Sequence, residues 1–295
     1  MDFMKFNYFA LLAVAAAALT ACGGGGGGDT SSAPQIPQTV PNPVDNSRIG
    51  FSGTVSAPLN ITNTTTLYAV RSSTGSTKAE VTQDSKGAVI KFGEFSLSGD
   101  YGVQEIAGNS SFAIGRWSAG DETAYDQNPN FTTITNLLKS ANGSSYYITL
   151  HQPENALANY NNGAVTTCTE TYITKPKNTD GLGDSFARSF SIQNGTVKFD
   201  AIGNAAVEFT INATDSKSSG STTFATDIRW IESGTIRTYN GFNVLGLKGQ
   251  TGQSSEYGFI QLGTNTAGGV LVGGIYTVKL INKAAYIGSF AMVCK

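Results

Sequence analysis

From about Arg48 onward, the chain is a succession of short segments in which apolar and polar residues alternate. In Ala206–Asn212, the side chains of Val207, Phe209 and Ile211 share one face of an extended strand, and polar side chains share the other. About fifteen such segments follow one another, separated by Gly, Asn or Ser. This pattern is typical of antiparallel sheets joined by tight turns. The sequence therefore predicts an all-β fold, arranged as a barrel or as a sandwich.

One pair of segments is predicted to form a hairpin. Gly195–Asp200 and Ala206–Asn212 are separated by Ile202–Ala205, which carries the residues of a turn. The other predicted strands are Phe51–Ala57, Thr65–Arg71, Ala88–Phe92, Tyr101–Ile106, Phe112–Trp117, Tyr146–Leu150, Val165–Ile173, Phe186–Ile192, Thr223–Trp230, Thr235–Tyr239, Glu256–Leu262, Val270–Val278 and Ala285–Cys294.

A single helix is predicted between two of these strands. Asn128 is a suitable N-cap, Pro129 suits the first helical position, and Gly143 can end the helix. The apolar residues at helical spacing are Phe131, Ile134, Leu137 and Leu138. We expect two or three turns that lie against the sheet or cap the mouth of a barrel.

The charge of the chain excludes one class of partner. Charged residues make up only 14%, and Gly, Ser, Thr and Asn take their place. The net charge is −2, and the Lys and Arg residues are scattered without forming a basic stripe. Nucleic acid is therefore not an expected partner.

The first residues resemble a bacterial lipoprotein signal. An apolar run, Phe9–Ala18, is too short to cross a bilayer stably, and Leu19–Cys22 resembles the lipobox. The resemblance implies cleavage before Cys22, a diacylglycerol on its sulfur and a membrane anchor of more than one acyl chain. Gly23 stands where an Asp would favour retention in the inner membrane, so the outer membrane is the expected location. The folded domain could face either side of that membrane. The alternative is an ordinary signal peptide with a chance cysteine.

The composition after Cys22 predicts a tether followed by a folded body. Six glycines, 23–28, precede a stretch rich in Ser, Pro and Gln that cannot form a core. We therefore expect a signal peptide at 1–21, a tether at 22–47 and an all-β domain at 48–295. The regions before Trp117 and after Ser144 are candidates for separate sheets, but no linker divides them.

Cys168 and Cys294 are the two cysteines that remain after Cys22. An even pair in an exported protein favours a disulfide between them, with a buried, reduced pair as the alternative.

The residues favour a protein without catalysis, cofactor or metal. His151 is the single histidine, it ends a predicted strand, and no Gly-x-Ser-x-Gly elbow is present. A zinc site needs three or four ligands, which this chain does not supply once the cysteines are paired. Calcium, which takes oxygen ligands, is an alternative at the loop acids Asp121, Glu122 and Asp126 with Asn128, although these residues do not follow the EF-hand spacing.

Aromatic residues are the remaining candidates for a binding surface, because tyrosine is enriched at interfaces. The residues concerned are Trp117, Trp230, Tyr146, Tyr147, Tyr160 and Tyr172. Packing in the core is the alternative role for each of them.

Several motifs, taken in order, resemble the transferrin-binding-protein-B-like β-barrel surface lipoproteins. The matching stretches are Ile114–Gly120; Tyr147 through Gln152, Pro153, Ala156 and Gly163; Thr171–Pro176; Asn194–Asp200 with Val207–Ile211; and Glu256–Phe259 with Gly268–Val270. The closing motif departs from the family, because Asn265–Ala267 stands where acidic residues are usual. The resemblance covers about half of the body.

That resemblance implies an antiparallel barrel of about eight strands with an additional N-terminal β-region. It divides the body into a handle-like region, 48–110, and a barrel, 111–295. It also implies capture of a host protein, haem or another ligand at the cell surface, without naming binding residues. The alternatives are a periplasmic structural or accessory lipoprotein without a small-molecule ligand, and a hydrolase of envelope polysaccharide.

Overall fold

The computed structural model describes residues 47–49, 54–59, 64–70, 73–125, 132–140, 143–151, 165–199, 205–226, 244–249 and 257–295. They all belong to one compact unit, Val44–Lys295, and residues 1–43 lie outside the described residues. Every regular element in the described part is a β-strand, so the predicted all-β class is confirmed. Cys22, the tether before residue 47 and the predicted strand Thr235–Tyr239 lie outside the described residues.

The first sheet is built from residues 64–151. Its strands are β2 (Thr64–Val70), β3 (Ser73–Thr77), β4 (Val81–Gln83), β5 (Val89–Phe92), β6 (Phe95–Asn109), β7 (Phe112–Tyr125), β8 (Thr132–Asn136) and β9 (Ser145–His151). Their spatial order is β3-β2-β9-β7-β6-β5-β4, and β8 pairs with the second half of β7. All pairs in this sheet are antiparallel.

The second sheet closes into a ring of eight strands. The ring consists of β10 (Val165–Ile173), β12 (Ser189–Phe199), β13 (Ala205–Thr214), β14 (Ser219–Thr226), β15 (Val244–Gly249), β16 (Tyr257–Thr264), β17 (Val270–Lys279) and β18 (Ala285–Cys294). Each strand from β12 onward pairs with the next, and β18 returns to pair with β10. Two short strands are added to this ring: β1 (Ser47–Ile49) pairs with β10, and β11 (Lys177–Asn178) pairs with β18. Closure removes the free edges of the sheet.

The pattern of burial explains why the sheets pack together. In β17 and β18, residues on one face fill the barrel, as Val272 and Phe290 do, and residues on the other contact the first sheet, as Leu271 does. Both strands are consequently buried along nearly their whole length. Gly273 lies at this contact, where a Cβ atom would come within 2.7 Å of Leu150 Cδ1. The missing side chain allows β9 to approach β17 closely.

The predicted helix after Pro129 is wrong. Thr132–Asn136 forms β8, which pairs with β7, and the chain then turns through Leu137–Ser140. Ile134 and Leu138 are 65% and 74% exposed, so they do not form the buried face that helical spacing implied. The second half of β7 offers an unpaired edge, and the β-branched residues of β8 suit pairing with it.

Two other expectations differ from the structure in detail. Phe186–Ile192 and Gly195–Asp200 were predicted as separate strands, but residues 189–199 run as one strand, β12, with a shift in register between Gln193 and Thr196. The division at residue 110 does not coincide with the sheets, because β7 and β9 belong to the first sheet. Apart from β1, which pairs with β10, the strands change from the first sheet to the second between His151 and Val165.

Candidate functional site

A groove of about 930 Å³ lies between the first sheet and the outside of the barrel. The first sheet contributes residues of β6 and β7 and of the connection between β8 and β9, and the barrel contributes the segment 175–186 that includes β11. Its lining consists of Gln104, Glu105, Arg116, Ser118, Leu137, Leu138, Ser140, Gly143, Ser144, Lys175, Lys177, Asn178, Thr179, Gly181, Gly183, Ser185 and Phe186.

A β-bulge places a carboxylate on the floor of this groove. The pairing of β6 with β7 shifts register between Gln104 and Ala107, and Glu105 lies in the left-handed region with φ of 49°. A glutamate rarely adopts this conformation, and bulges redirect side chains, often next to functional sites. Glu105 is only 6% exposed, so its carboxylate needs a partner within the protein.

Arg116 on β7 is that partner. Its Nε donates to Glu105 Oε2 at 2.6 Å and its Nη2 donates to Oε1 at 2.8 Å, which makes the ion pair bidentate. The remaining bonds go to Ser144 Oγ at 3.1 Å and Gln104 Oε1 at 2.5 Å. Burial would lower the pKa of Arg116, but the hydrogen bond and charge of Glu105 outweigh it and raise the pKa. Arg116 therefore stays charged while most of its donors are bound within the protein.

The connection between β8 and β9 fixes the position of Ser144. Leu137 N donates to Gly120 O, and Gly143 N donates to Ser140 O at 3.0 Å, so the connection is bonded to the sheet and to itself. A Cβ atom at Gly143 would overlap the carbonyl oxygen of Leu137. Glycine at this position is what allows the connection to fold tightly beside the groove.

The barrel side of the groove is a narrow hairpin. Asn178 N donates to Ser185 O at 3.0 Å, and Ala187 N donates to Pro176 O at 3.0 Å. One end of the hairpin is anchored to β18 through the pairing of β11. The backbone bonds hold Lys175 and Phe186 at the groove, and both residues are part of its lining.

Positive charge is concentrated around the ring of Phe186. The guanidinium carbon of Arg116 lies 5.1 Å from the ring centroid, and Lys175 Nζ lies 5.2 Å from it, both within the range of cation–π attraction. The pKa of Lys177 is lowered, first by burial and then by the charge of Arg116. The lining contains three cations and one carboxylate, 3 − 1, which leaves a net charge of +2.

The structure brings the predicted cysteine pair together. Cys168 on β10 lies opposite Cys294 on β18, with 2.08 Å between the two Sγ atoms. The bond lies where the last strand of the barrel meets the first, so it secures the closure of the ring. Cys22, the expected site of lipidation, is outside the described residues.

The other predicted site residues are not part of the groove lining. His151 ends β9, its backbone N–H donates to Ser111 O at 2.7 Å, and its Nδ1 has no hydrogen-bond partner among the residues that the structure describes. Asp121 accepts a bond from Asn136 Nδ2 at 2.7 Å, and Glu122 is buried and bonded by the hydroxyl of Ser145. Across the part of the chain that the structure describes, His, Cys, Asp and Glu side chains form no group of three that could hold a metal ion. Asp126 and Asn128 are outside that part.

Most of the aromatic candidates belong to the core. Trp117 is fully buried and donates to Val89 O at 2.8 Å, and Tyr146 and Tyr147 are also buried. Burial raises the pKa of both tyrosines. Tyr172 packs its ring against Phe112 at 5.4 Å. Trp230 and Tyr160 lie outside the described residues.

The charged residues and the phenylalanine that line the groove were not identified from the sequence, and Leu137 and Leu138 were placed on a helix. Arg116 was noted only as part of a motif, and Glu105, Lys175, Lys177 and Phe186 were not singled out. One signal was present in the sequence: Arg116 interrupts a strand whose neighbours are apolar, and a buried charge requires a partner. The partner, Glu105, lies eleven residues earlier, on the other strand of the β6–β7 hairpin. The alternation of apolar and polar residues does not identify it, because the bulge interrupts that alternation.

Comparison with known proteins found no match to a family model, to a curated protein or to a solved structure. Among the described residues, the structure contains no helix that is long and apolar enough to cross a membrane.

Proposed function

We propose that the chain is a lipid-anchored outer-membrane protein that binds a ligand in the groove between its two sheets and catalyses no reaction. The observation that carries the proposal is the groove itself, with a net charge of +2 on a chain whose total charge is −2. Local charge opposite to that of the whole protein is a means of attracting a specific partner.

The geometry of the groove supports binding more than catalysis. Its one acidic side chain, Glu105, is held in a bidentate ion pair, which removes it from the role of a general acid or base. The lining residues include no His and no Cys. The side chains lie on two strands, a backbone-bonded hairpin and a tight connection, and such rigid support favours a preformed binding site.

The resemblance of Leu19–Cys22 to a lipobox supports the anchor. The 25 residues between the lipobox and β1, 22–46, are rich in Gly and Pro, and a flexible chain of this length would have a root-mean-square span of roughly 25–30 Å. That span is enough to hold the β-domain clear of the lipid headgroups. The resemblance to transferrin-binding-protein-B-like lipoproteins supports display at the cell surface and a ligand from the host.

Two linked experiments test this proposal. Protease treatment of whole cells that produce the full chain should remove the β-domain without opening the outer membrane. The same cells should capture a component of host serum or of envelope extract, and Ser185→Trp should abolish the capture because it places a large side chain at an exposed position in the groove. Thr82→Trp, at an exposed position on β4, is the matched control and should not affect capture.

Surface display, the groove as the binding site and the lipid anchor can each be refuted by a different result. Protection from protease until the outer membrane is opened would refute surface display and favour the periplasmic accessory role. Equal capture by Ser185→Trp and the unsubstituted protein would refute the groove as the binding site. A Cys22→Ser variant that partitions into membranes as before would refute the lipid anchor.

A further inference from the structure

The electrostatic character of the groove selects for an anionic ligand. Glu105 is neutralised by Arg116, and Lys175 supplies positive charge beside this pair. Lys175 is exposed and its ammonium is held above the Phe186 ring, where a ligand can reach it. Lysine at such a position can donate charge-assisted hydrogen bonds to a carboxylate.

The uncharged residues of the lining favour a ligand that carries hydroxyl groups. Apart from the charged residues, most of the lining side chains are hydroxyls or amides, among them Gln104, Ser118, Thr179 and Ser185. Within the protein, Gln104 Oε1 accepts from Arg116, and the hydroxyls of Ser118 and Thr179 donate to Gly102 O and Ala285 O. The two hydroxyl oxygens can still accept hydrogen bonds and the Gln104 amide nitrogen can still donate them, which matches a ligand rich in hydroxyls. Leu138 lies at the same groove with a largely exposed side chain, and it offers apolar surface to the face of a sugar ring.

The size of the groove excludes a simple ion as the natural occupant. A volume of about 930 Å³ is near the upper end of the range for sites that hold organic ligands. One water molecule takes about 30 Å³ of liquid volume, so an inorganic anion would leave most of the groove filled with solvent. The volume suits several linked sugar rings.

Haem fits this groove poorly. Haem iron in proteins is bound by His, Cys, Met or Tyr, and the lining residues include none of these. The apolar side chains of the lining are Leu137, Leu138 and Phe186, and three such side chains do not enclose the two faces of a porphyrin ring.

We infer that the groove binds an acidic oligosaccharide, with Lys175 contacting a sugar carboxylate and with the Glu105–Arg116 pair positioning the floor beneath it. This inference rests on the proposed function and names its ligand class. The same acidic sugars occur as free oligosaccharides and on glycoproteins, and the groove chemistry is common to both sources.

Calorimetric titration of the full-length protein in detergent tests the ligand class. The acidic probes are tetragalacturonate and 3′-sialyllactose, and the neutral counterparts are carboxyl-reduced tetragalacturonate and lactose. We expect at least one acidic probe to bind ten-fold or more tightly than its neutral counterpart. Lys175→Gln should weaken that binding by roughly ten-fold, the usual worth of a hydrogen bond to a charged group. Lys198→Gln, at an exposed lysine on β12, is the matched control and should leave the affinity unchanged.

Three results would overturn the inference: no binding of either acidic probe, equal affinity for acidic and neutral probes, or equal affinity of the Lys175→Gln and unsubstituted proteins. Inorganic phosphate that competes with the acidic probe at matched concentration would also overturn it, because the groove would then be a site for simple anions. Binding of a sialylated glycoprotein in preference to free 3′-sialyllactose would identify the glycoprotein as the source, and the converse would identify the free sugar. If no acidic probe binds but Ser185→Trp still abolishes capture by cells, the ligand class is wrong and the proposed function stands.

Discussion

The buried Glu105–Arg116 pair gives the sharpest prediction about stability. Arg116 is 4% exposed and Glu105 is 6% exposed, so removing either partner leaves the other charge buried. Arg116→Met also removes the donors to Ser144 and Gln104. Breaking a buried pair in this way costs about 3–5 kcal/mol in the free energy of unfolding. For a domain of this size, the melting temperature should fall by about 10 °C.

The double variant Glu105→Leu with Arg116→Met shows whether the loss of stability in Arg116→Met comes from the broken ion pair or from lost packing. Removing both charges leaves no uncompensated ion, and hydrophobic replacements of similar volume are often neutral. We therefore expect the double variant to be more stable than Arg116→Met alone. Urea unfolding followed by tryptophan fluorescence measures this, because Trp117 is buried next to Arg116 on β7.

The control for this cycle is an exposed ion pair. Arg188 Nε lies 2.8 Å from Asp184 Oδ2, with the arginine side chain 66% exposed. Arg188→Met should leave the unfolding midpoint unchanged, as is common for surface pairs. A double variant at Glu105 and Arg116 that is less stable than both single variants would refute the reasoning, because the two losses would then be independent.

Three further predictions concern the barrel and its contacts. Replacing Cys168 and Cys294 by serine should lower the free energy of unfolding by about 5 kcal/mol, since the bond closes a loop with a sequence separation of 126, and thermal unfolding measures the loss. Gly273→Ala should cost about 1–3 kcal/mol in chemical unfolding, because the new methyl group would meet Leu150 where the two sheets touch. Burial disfavours the charged form of Asp215, but hydrogen bonds from backbone N–H groups and side chains outweigh this effect and hold its pKa below 3.8. The stability that Asp215 contributes should therefore be present above that value and decline as the pH falls through the lowered pKa. In a series of melting temperatures measured against pH, Asp215→Asn should reduce this decline at acid pH, the acid limb of the series.

Each of these predictions has a matched control. Reductant added to the unsubstituted protein should reproduce the melting temperature of the double serine variant, and an unaffected melting temperature in both would contradict a stabilising bond. Gly102→Ala meets its nearest neighbour at ordinary contact distance, 3.4 Å, and should be close to neutral. Asp100→Asn, at an exposed position, should keep the acid limb. Equal effects of the two glycine variants or of the two aspartate variants would contradict the roles given to Gly273 and Asp215.

The strands and their faces could be predicted from the sequence because alternation is a local property. Val165–Ile173 and Ala285–Cys294 were predicted with the bounds that the structure has. The pairing of Cys168 with Cys294 could be predicted because they are the remaining even pair in a chain whose first residues resemble an export signal. The sequence did not reveal β8, since four apolar residues at helical spacing indicate a helix until the unpaired edge of β7 is known.

By itself, the sequence determined the all-β class, most of the strands and the two cysteines that meet. The tertiary structure alone decided that the strands divide between His151 and Val165 into the first sheet and an eight-stranded ring, and that a groove forms where the two meet. The physical reason is distance along the chain. The groove brings Glu105 and Arg116 together with Lys175 and Phe186, which lie roughly sixty to eighty residues later in the chain, and their contact depends on which faces of the two sheets pack together. The alternation of apolar and polar residues indicates that one face of a strand is buried, but it does not indicate which other part of the protein packs against that face.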